Sequence, residues 1–147
     1  NEVDEMGFHI NPYIMLDGRA KEAVEFYKHS LGANIVGIHT YGEMPQSPEF
    51  QLPAEAKDRV LHARLTIGNT ELMISDIFPG QPYQLGSQLT IALIPDNEDE
   101  AKEVYEKLQE DGQVVMPMQE TDWSPAYGQV IDKFGVTWQI SMEINAN

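Results

Sequence analysis

His62 and Arg64 stand two residues apart in an alternating run, Arg59 to Ile67, so both project from the same side of one strand. An imidazole in that place can serve as a general base or anchor a ligand, or it can be a strand histidine hydrogen-bonded for structure. The guanidinium beside it can hold a ligand carboxylate or phosphate. It can equally close a salt bridge with Glu71 or Asp76 on the strand that follows. Asp76 and Glu43 suggest paired carboxylates for acid and base work, but no spacing fixes their distance, and Asp76 can simply end its strand. His9, His29 and His39 read as structural or surface residues, since no two histidines have the close spacing of a helix-borne metal site.

Two repeated units position these groups. Asp17-Gly18 followed by Glu22-Ala23-Val24-Glu25-Phe26-Tyr27 recurs as Asp96 followed by Glu100-Ala101-Lys102-Glu103-Val104-Tyr105. Duplication of one supersecondary unit leaves this trace. In the first copy Ile10 to Leu16 reads as a strand, Asp17 and Gly18 stop it and cap a helix through Leu31, and Gly32 suits the position after the helix. Asn34 to Tyr41 is a second strand. Gly42 to Asp58, with three prolines, is a long loop with room for one helical turn. Arg59 to Ile67 and Thr70 to Asp76 form a hairpin about Gly68-Asn69.

The second copy runs as a strand over Ser87 to Ile94, a helix from Ala101 ended by Gly112, an edge or bulged strand Val114 to Gln119 containing Pro117, and a closing hairpin. Its arms are Tyr127 to Asp132 and Val136 to Glu143. The order is β-α-β-β-β, twice. Each helix covers one face of its own sheet, and the other face carries Tyr13, His62, Arg64, Gln88, Thr90 and Gln139. Trp138 shares parity with Val136 and Ile140 and is expected in the core against the second helix.

Composition narrows the function classes. The chain has 147 residues, 41% of them hydrophobic and 22% charged, enough for one domain with a real core. Residues 1–7 read as a tail, 8–76 as module one, 77–86 as a linker and 87–144 as module two, within one domain spanning 8–147. With 24 acidic against 9 basic side chains the net charge is −15, and no basic stripe exists, so nucleic acid is not an expected partner. No apolar run is long enough for a membrane span. The absence of cysteine suits a reducing, cytoplasmic setting.

The segments Asn11-Pro12-Tyr13-Ile14-Met15-Leu16-Asp17-Gly18, Glu25-Phe26-Tyr27, Gly42-Glu43-Met44-Pro45, Leu72-Met73-Ile74-Ser75-Asp76, Trp123-Ser124-Pro125-Ala126-Tyr127-Gly128 and Asp132-Lys133-Phe134-Gly135-Val136-Thr137-Trp138 carry a resemblance. Over about residues 8 to 144 the chain resembles the vicinal oxygen chelate superfamily, the glyoxalase/bleomycin-resistance/dioxygenase fold, and within it the PhnB-like group. The resemblance implies an α+β fold: two tandem βαβββ modules whose sheets curve around a cavity, commonly within a homodimer. It also implies Trp123 and Tyr127 at the cavity mouth, suited to stacking on a planar or apolar ligand.

Metal-dependent members of that superfamily hold a divalent ion with His and Glu from the first and last strands of each module. The corresponding positions fall at Asn11 (or Pro12), Met73 or Ile74, Gln88 and Gln139. None is His, Asp or Glu. No cofactor is therefore expected. Asn11, Gln88 and Gln139 are left to hydrogen-bond an uncharged small-molecule ligand. The binding set is Asn11, Tyr13, His62, Arg64, Gln88, Trp123, Tyr127 and Gln139. The alternative is a lyase, isomerase or transferase that binds a divalent metal through a rearranged set, His62, Asp76 and Glu43.

Overall fold

The computed structural model describes residue 7, residues 9–49 and residues 51–144, so most of the tail read at residues 1–7 lies outside the described residues. The element order is β1 (Tyr13–Leu16), α1 (Ala20–Leu31), β2 (Asn34–Thr40), β3 (Val60–Ile67), β4 (Thr70–Asp76), β5 (Ile91–Leu93), α2 (Glu98–Leu108), β6 (Gln113–Gln119), β7 (Tyr127–Ile131) and β8 (Thr137–Ser141). This is the βαβββ order, twice. The strands form two four-stranded sheets, β1-β4-β3-β2 and β5-β8-β7-β6. In each, the first strand runs parallel to the last and the other neighbours are antiparallel.

The chain divides into two compact units, but not at the module boundary. One comprises Asn1–Glu25 and Ala33–Gln81; the other comprises Phe26–Gly32 and Pro82–Asn147. The C-terminal half of α1 thus belongs with the second unit, which corrects the expectation that each helix serves only its own sheet. The reason is aromatic. Phe26 meets Phe134 edge-on at 5.5 Å, and Tyr27 lies 5.6 Å from Trp138. Trp138 is in the core as expected, with α2 against its strand, and its ring partner is Tyr27 of α1.

In the first unit Ile14, Leu16, Ala63, Leu65, Leu72 and Ile74 are buried, and alternation sends Tyr13, Met15, His62, Arg64, Glu71 and Met73 to the opposite, open face. In the second, Val130, Trp138 and Ile140 are buried with Ala101, Tyr105 and Leu108 of α2.

Helix boundaries follow local chemistry with one exception. Asn97 caps α2 by accepting from the Glu100 amide at 2.8 Å, and three acids fill the first turn, where the helix dipole favours them. Gly32 after α1 takes φ 68°, the left-handed value a glycine accommodates. Past α2 that conformation falls on Asp111 instead, and Gly112 serves close approach: a Cβ there would meet the Ile131 carbonyl oxygen at 2.3 Å. The exception is the start of α1. Asp17 does not cap it but pairs with Arg59 at 2.8 Å. The cap comes from Asp76, whose Oδ1 accepts from Gly18 N at 2.8 Å and Ala20 N at 3.0 Å.

The strands read as Ile10 to Leu16 and Ser87 to Ile94 are shorter than expected, starting at Tyr13 and Ile91. The long loop holds two short 3₁₀ turns, Tyr41–Glu43 and Ala54–Ala56, rather than one. Pro117 sits, as expected, on an edge strand with shifted register.

Candidate functional site

On the open face of the first unit, three strands contribute to one chain of hydrogen bonds. His62 Nδ1 of β3 lies 2.9 Å from the Tyr13 hydroxyl of β1. That hydroxyl lies 2.6 Å from Ser75 Oγ of β4, and Ser75 donates to the Leu61 carbonyl at 2.8 Å. Strand order makes this possible, because β4 runs between β1 and β3. Tyr13 is 45% exposed and His62 is half-buried, so both can be reached by a ligand, whereas Ser75 is buried beneath them.

Arg64 joins Glu71 through two hydrogen bonds, Nε to Oε1 at 2.8 Å and Nη2 to Oε2 at 3.1 Å. Of its two readings, the salt bridge is the one formed, with Glu71 as the partner. The hydrogen bond from Arg64 holds the Glu71 carboxyl below the usual carboxylate range, and Glu71 in turn raises the guanidinium.

The rearranged metal set is not brought together. Asp76 is 1% exposed, and beyond its two bonds at the start of α1 its Oδ2 accepts from Val60 N at 2.9 Å. Glu43 accepts from Thr40 N at 2.7 Å and lies 3.3 Å from His39 Nδ1; the backbone bond is the main reason its carboxyl sits below the usual range. Among the described residues, no three His, Asp or Glu side chains are grouped to hold a metal ion. The paired-carboxylate reading of Asp76 and Glu43 fails for the same reason: Asp76 is committed to backbone amides.

The open face of the second unit carries a parallel construction. Tyr127 donates to Gln139 Oε1 at 2.7 Å, and Gln139 Nε2 donates to Thr90 Oγ1 at 3.0 Å. The two partners fix which way the amide points. The Trp123 ring, 58% exposed, meets Tyr127 edge-on at 5.4 Å. Gln129 pairs with Gln139 across β7 and β8 and extends the amide surface. Parity could have found it, since Gln129 is two residues from Tyr127. Asn11 and Gln88 lie outside the strands, in the segments before β1 and β5. A separate cleft of about 310 Å³, lined by Glu98, Lys102, Gln119 and Glu120 among others, holds none of the residues singled out from the sequence.

The ladders relate the two constructions. In each unit one hydrogen bond joins the first strand, or the segment leading into it, to the last strand: Tyr13 to Ser75, and Thr90 to Gln139. Ile74 is fully buried on the core face.

Known proteins resemble this chain in sequence and fold. The chain is 31% identical to protein YjdN of Escherichia coli K12, over 90% of this chain and 94% of that protein. It is similar to the crystal structure of protein PA1353 from Pseudomonas aeruginosa, with 34% identity, a TM-score of 0.84, and coverage of 95% of this chain and 100% of that one. The PhnB protein from Bacillus cereus follows at 27% identity and a TM-score of 0.75, covering 92% and 99% of the two chains. The sequence pattern of one superfamily matches residues 9–140. The chain belongs to the Glyoxalase/Bleomycin resistance protein/Dioxygenase superfamily.

Proposed function

We propose that this protein binds a small uncharged molecule with polar and aromatic parts on the open faces of its sheets, and that it does so without a divalent metal ion. One observation carries the reading. In each unit, near where the first and last strands pair, neutral side chains are bonded to each other: Tyr13 with Ser75, and Thr90 with Gln139. Hydroxyls and an amide are weak ligands beside imidazole and carboxylate, so this donor set does not fit a divalent ion. It suits a ligand that exchanges hydrogen bonds, and the exposed Trp123 ring beside Tyr127 offers a face for stacking. On the face of the first unit the cation Arg64 is already bidentate with Glu71, and the chain's charge of −15 also disfavours anions.

The test is a thermal-shift screen of the purified protein against aromatic and amide-bearing metabolites, because a ligand of the native state raises its melting temperature by mass action. The expected result is a shift that Trp123→Ala abolishes. Shifts unchanged by that substitution place the ligand elsewhere. About one tightly held divalent ion per chain, found by elemental analysis of protein purified without chelators, overturns the metal-free reading.

A further inference from the structure

We propose that His62 is held in the tautomer that carries its proton on Nδ1, and that it presents the bare Nε2 to a hydrogen-bond donor of the bound molecule. The inference rests on the binding reading above and adds the ligand's chemistry to it.

Counting protons along the hydrogen-bond chain gives the tautomer. A backbone carbonyl only accepts, so Ser75 spends its single hydroxyl proton on Leu61 O. Ser75 Oγ can then only accept from Tyr13, which spends the one phenolic proton. The Tyr13 oxygen is left as an acceptor toward His62 Nδ1, 2.9 Å away, so Nδ1 must bear hydrogen. In the neutral ring the other nitrogen then has a lone pair and no proton. Nε2 has no hydrogen-bond partner among the described residues, and the half-buried ring is reachable from the open face. Tyr13 and Ser75 are thus positioning residues that set which nitrogen faces the ligand.

The surroundings define the ligand class. The groups about His62 include Tyr13 on β1, His39 directly opposite on β2, Arg64 on its own strand, and Glu71 on β4, which His9 also approaches. Arg64 is bound by Glu71, and His39 lies against Glu43. Neither Arg64 nor His39 is left unpaired to hold a carboxylate or phosphate, and a carboxylate has no proton to give Nε2. The matching ligand is an uncharged alcohol, phenol or amide that donates to Nε2.

Long-range proton–nitrogen NMR on the intact chain reads the tautomer directly. The neutral His62 ring is expected to show a protonated Nδ1 and a bare Nε2. In Ser75→Ala the Tyr13 proton turns to Nδ1, and the ring is expected to switch to the Nε2–H form. Tyr13→Phe, at an exposed position, should also release the Nδ1–H form and guards against a Ser75 variant that does not fold. A wild-type ring already protonated on Nε2, or a tautomer indifferent to both substitutions, overturns the proposal.

Phenol and anisole then test the donor requirement. Phenol is expected to move the His62 Nε2 resonance and to bind roughly five- to tenfold more weakly to His62→Phe, the loss of one hydrogen bond. Anisole, with no proton to donate, should leave Nε2 unmoved. Equal effects from both, or none from either, overturn the ligand class. A ligand found by the thermal-shift screen that leaves both His62 nitrogens unmoved sinks this inference alone. A screen that yields no ligand sinks the binding reading, while the tautomer is still read in the free protein.

Discussion

Tyr27 donates its phenolic proton to Asp132, 105 residues further along the chain, and the acceptor is itself only 2% exposed. The same carboxylate accepts from Trp138 Nε1 at 2.8 Å and from the amides of Phe134 and Val136 at 2.9 and 3.1 Å. One buried charge thus organises the last hairpin and ties α1 to it. Four donors satisfy it, which is the condition for keeping a charge in a protein interior.

Removing Asp132 leaves those four donors buried without an acceptor. Asp132→Ala is expected to cost at least about 3 kcal/mol by urea unfolding, and Tyr27→Phe roughly 1.5–3 kcal/mol, since it removes one hydrogen bond to a charged group. Equal, near-zero losses for both would show that the hairpin does not depend on this carboxylate.

Alkaline pH probes the same contact. Burial first, and then the charge of Asp132, push the Tyr27 phenol far above its ordinary value of 10.0. A raised value means that the stabilisation is complete below about pH 10 and is lost as pH climbs through the range above it. Denaturant midpoints of the wild type should therefore fall as pH rises above about 10, and those of Tyr27→Phe should fall less. Parallel curves would remove Tyr27 as the cause.

Asp76 is expected to behave as scaffold. Its oxygens serve the amides of Gly18, Ala20 and Val60. Asp76→Asn swaps an acceptor oxygen for a donor facing those amides and should lower stability by roughly 1–3 kcal/mol. Ligand-induced melting shifts should persist in the variant once its lower baseline is subtracted; their selective loss would return Asp76 to the binding site.

Arg64 and Glu71 should matter little to stability, because both lie near solvent and exposed ion pairs contribute little. The Glu71 carboxyl is lowered, so whatever the pair contributes is present above the ordinary carboxylate range and fades as pH falls. Arg64→Ala is expected to leave the melting temperature almost unchanged at neutral pH. It should also leave the response to uncharged ligands intact. A loss of ligand response would reinstate Arg64 as a ligand anchor.

Much of this was legible in the chain itself, and the pattern of misses is physical. The β3–β4 hairpin and both helices are strongly periodic, and parity alone put Tyr13, His62 and Arg64 on one face. Local signals failed where a distant residue took over. Asp17 has the right type and place to cap α1, yet Asp76, 58 residues from Gly18, holds that end. Ser75 looked unremarkable because its importance depends on β4 lying between β1 and β3, which is a fact of strand order. Trp138 was rightly placed in the core, but its ring partner comes from a helix over a hundred residues earlier.

The divided helix has a consequence for how the protein is made. Domains fold as they leave the ribosome, the earlier ones first. Here the segment 26–32 is synthesised with the first unit but completes the second. Phe26 and Tyr27 can meet their partners Phe134 and Trp138 only after the strands around Asp132 and Trp138 have been translated. The first unit can close its own sheet during synthesis; the second cannot be finished until its missing half-helix, made long before, is taken up.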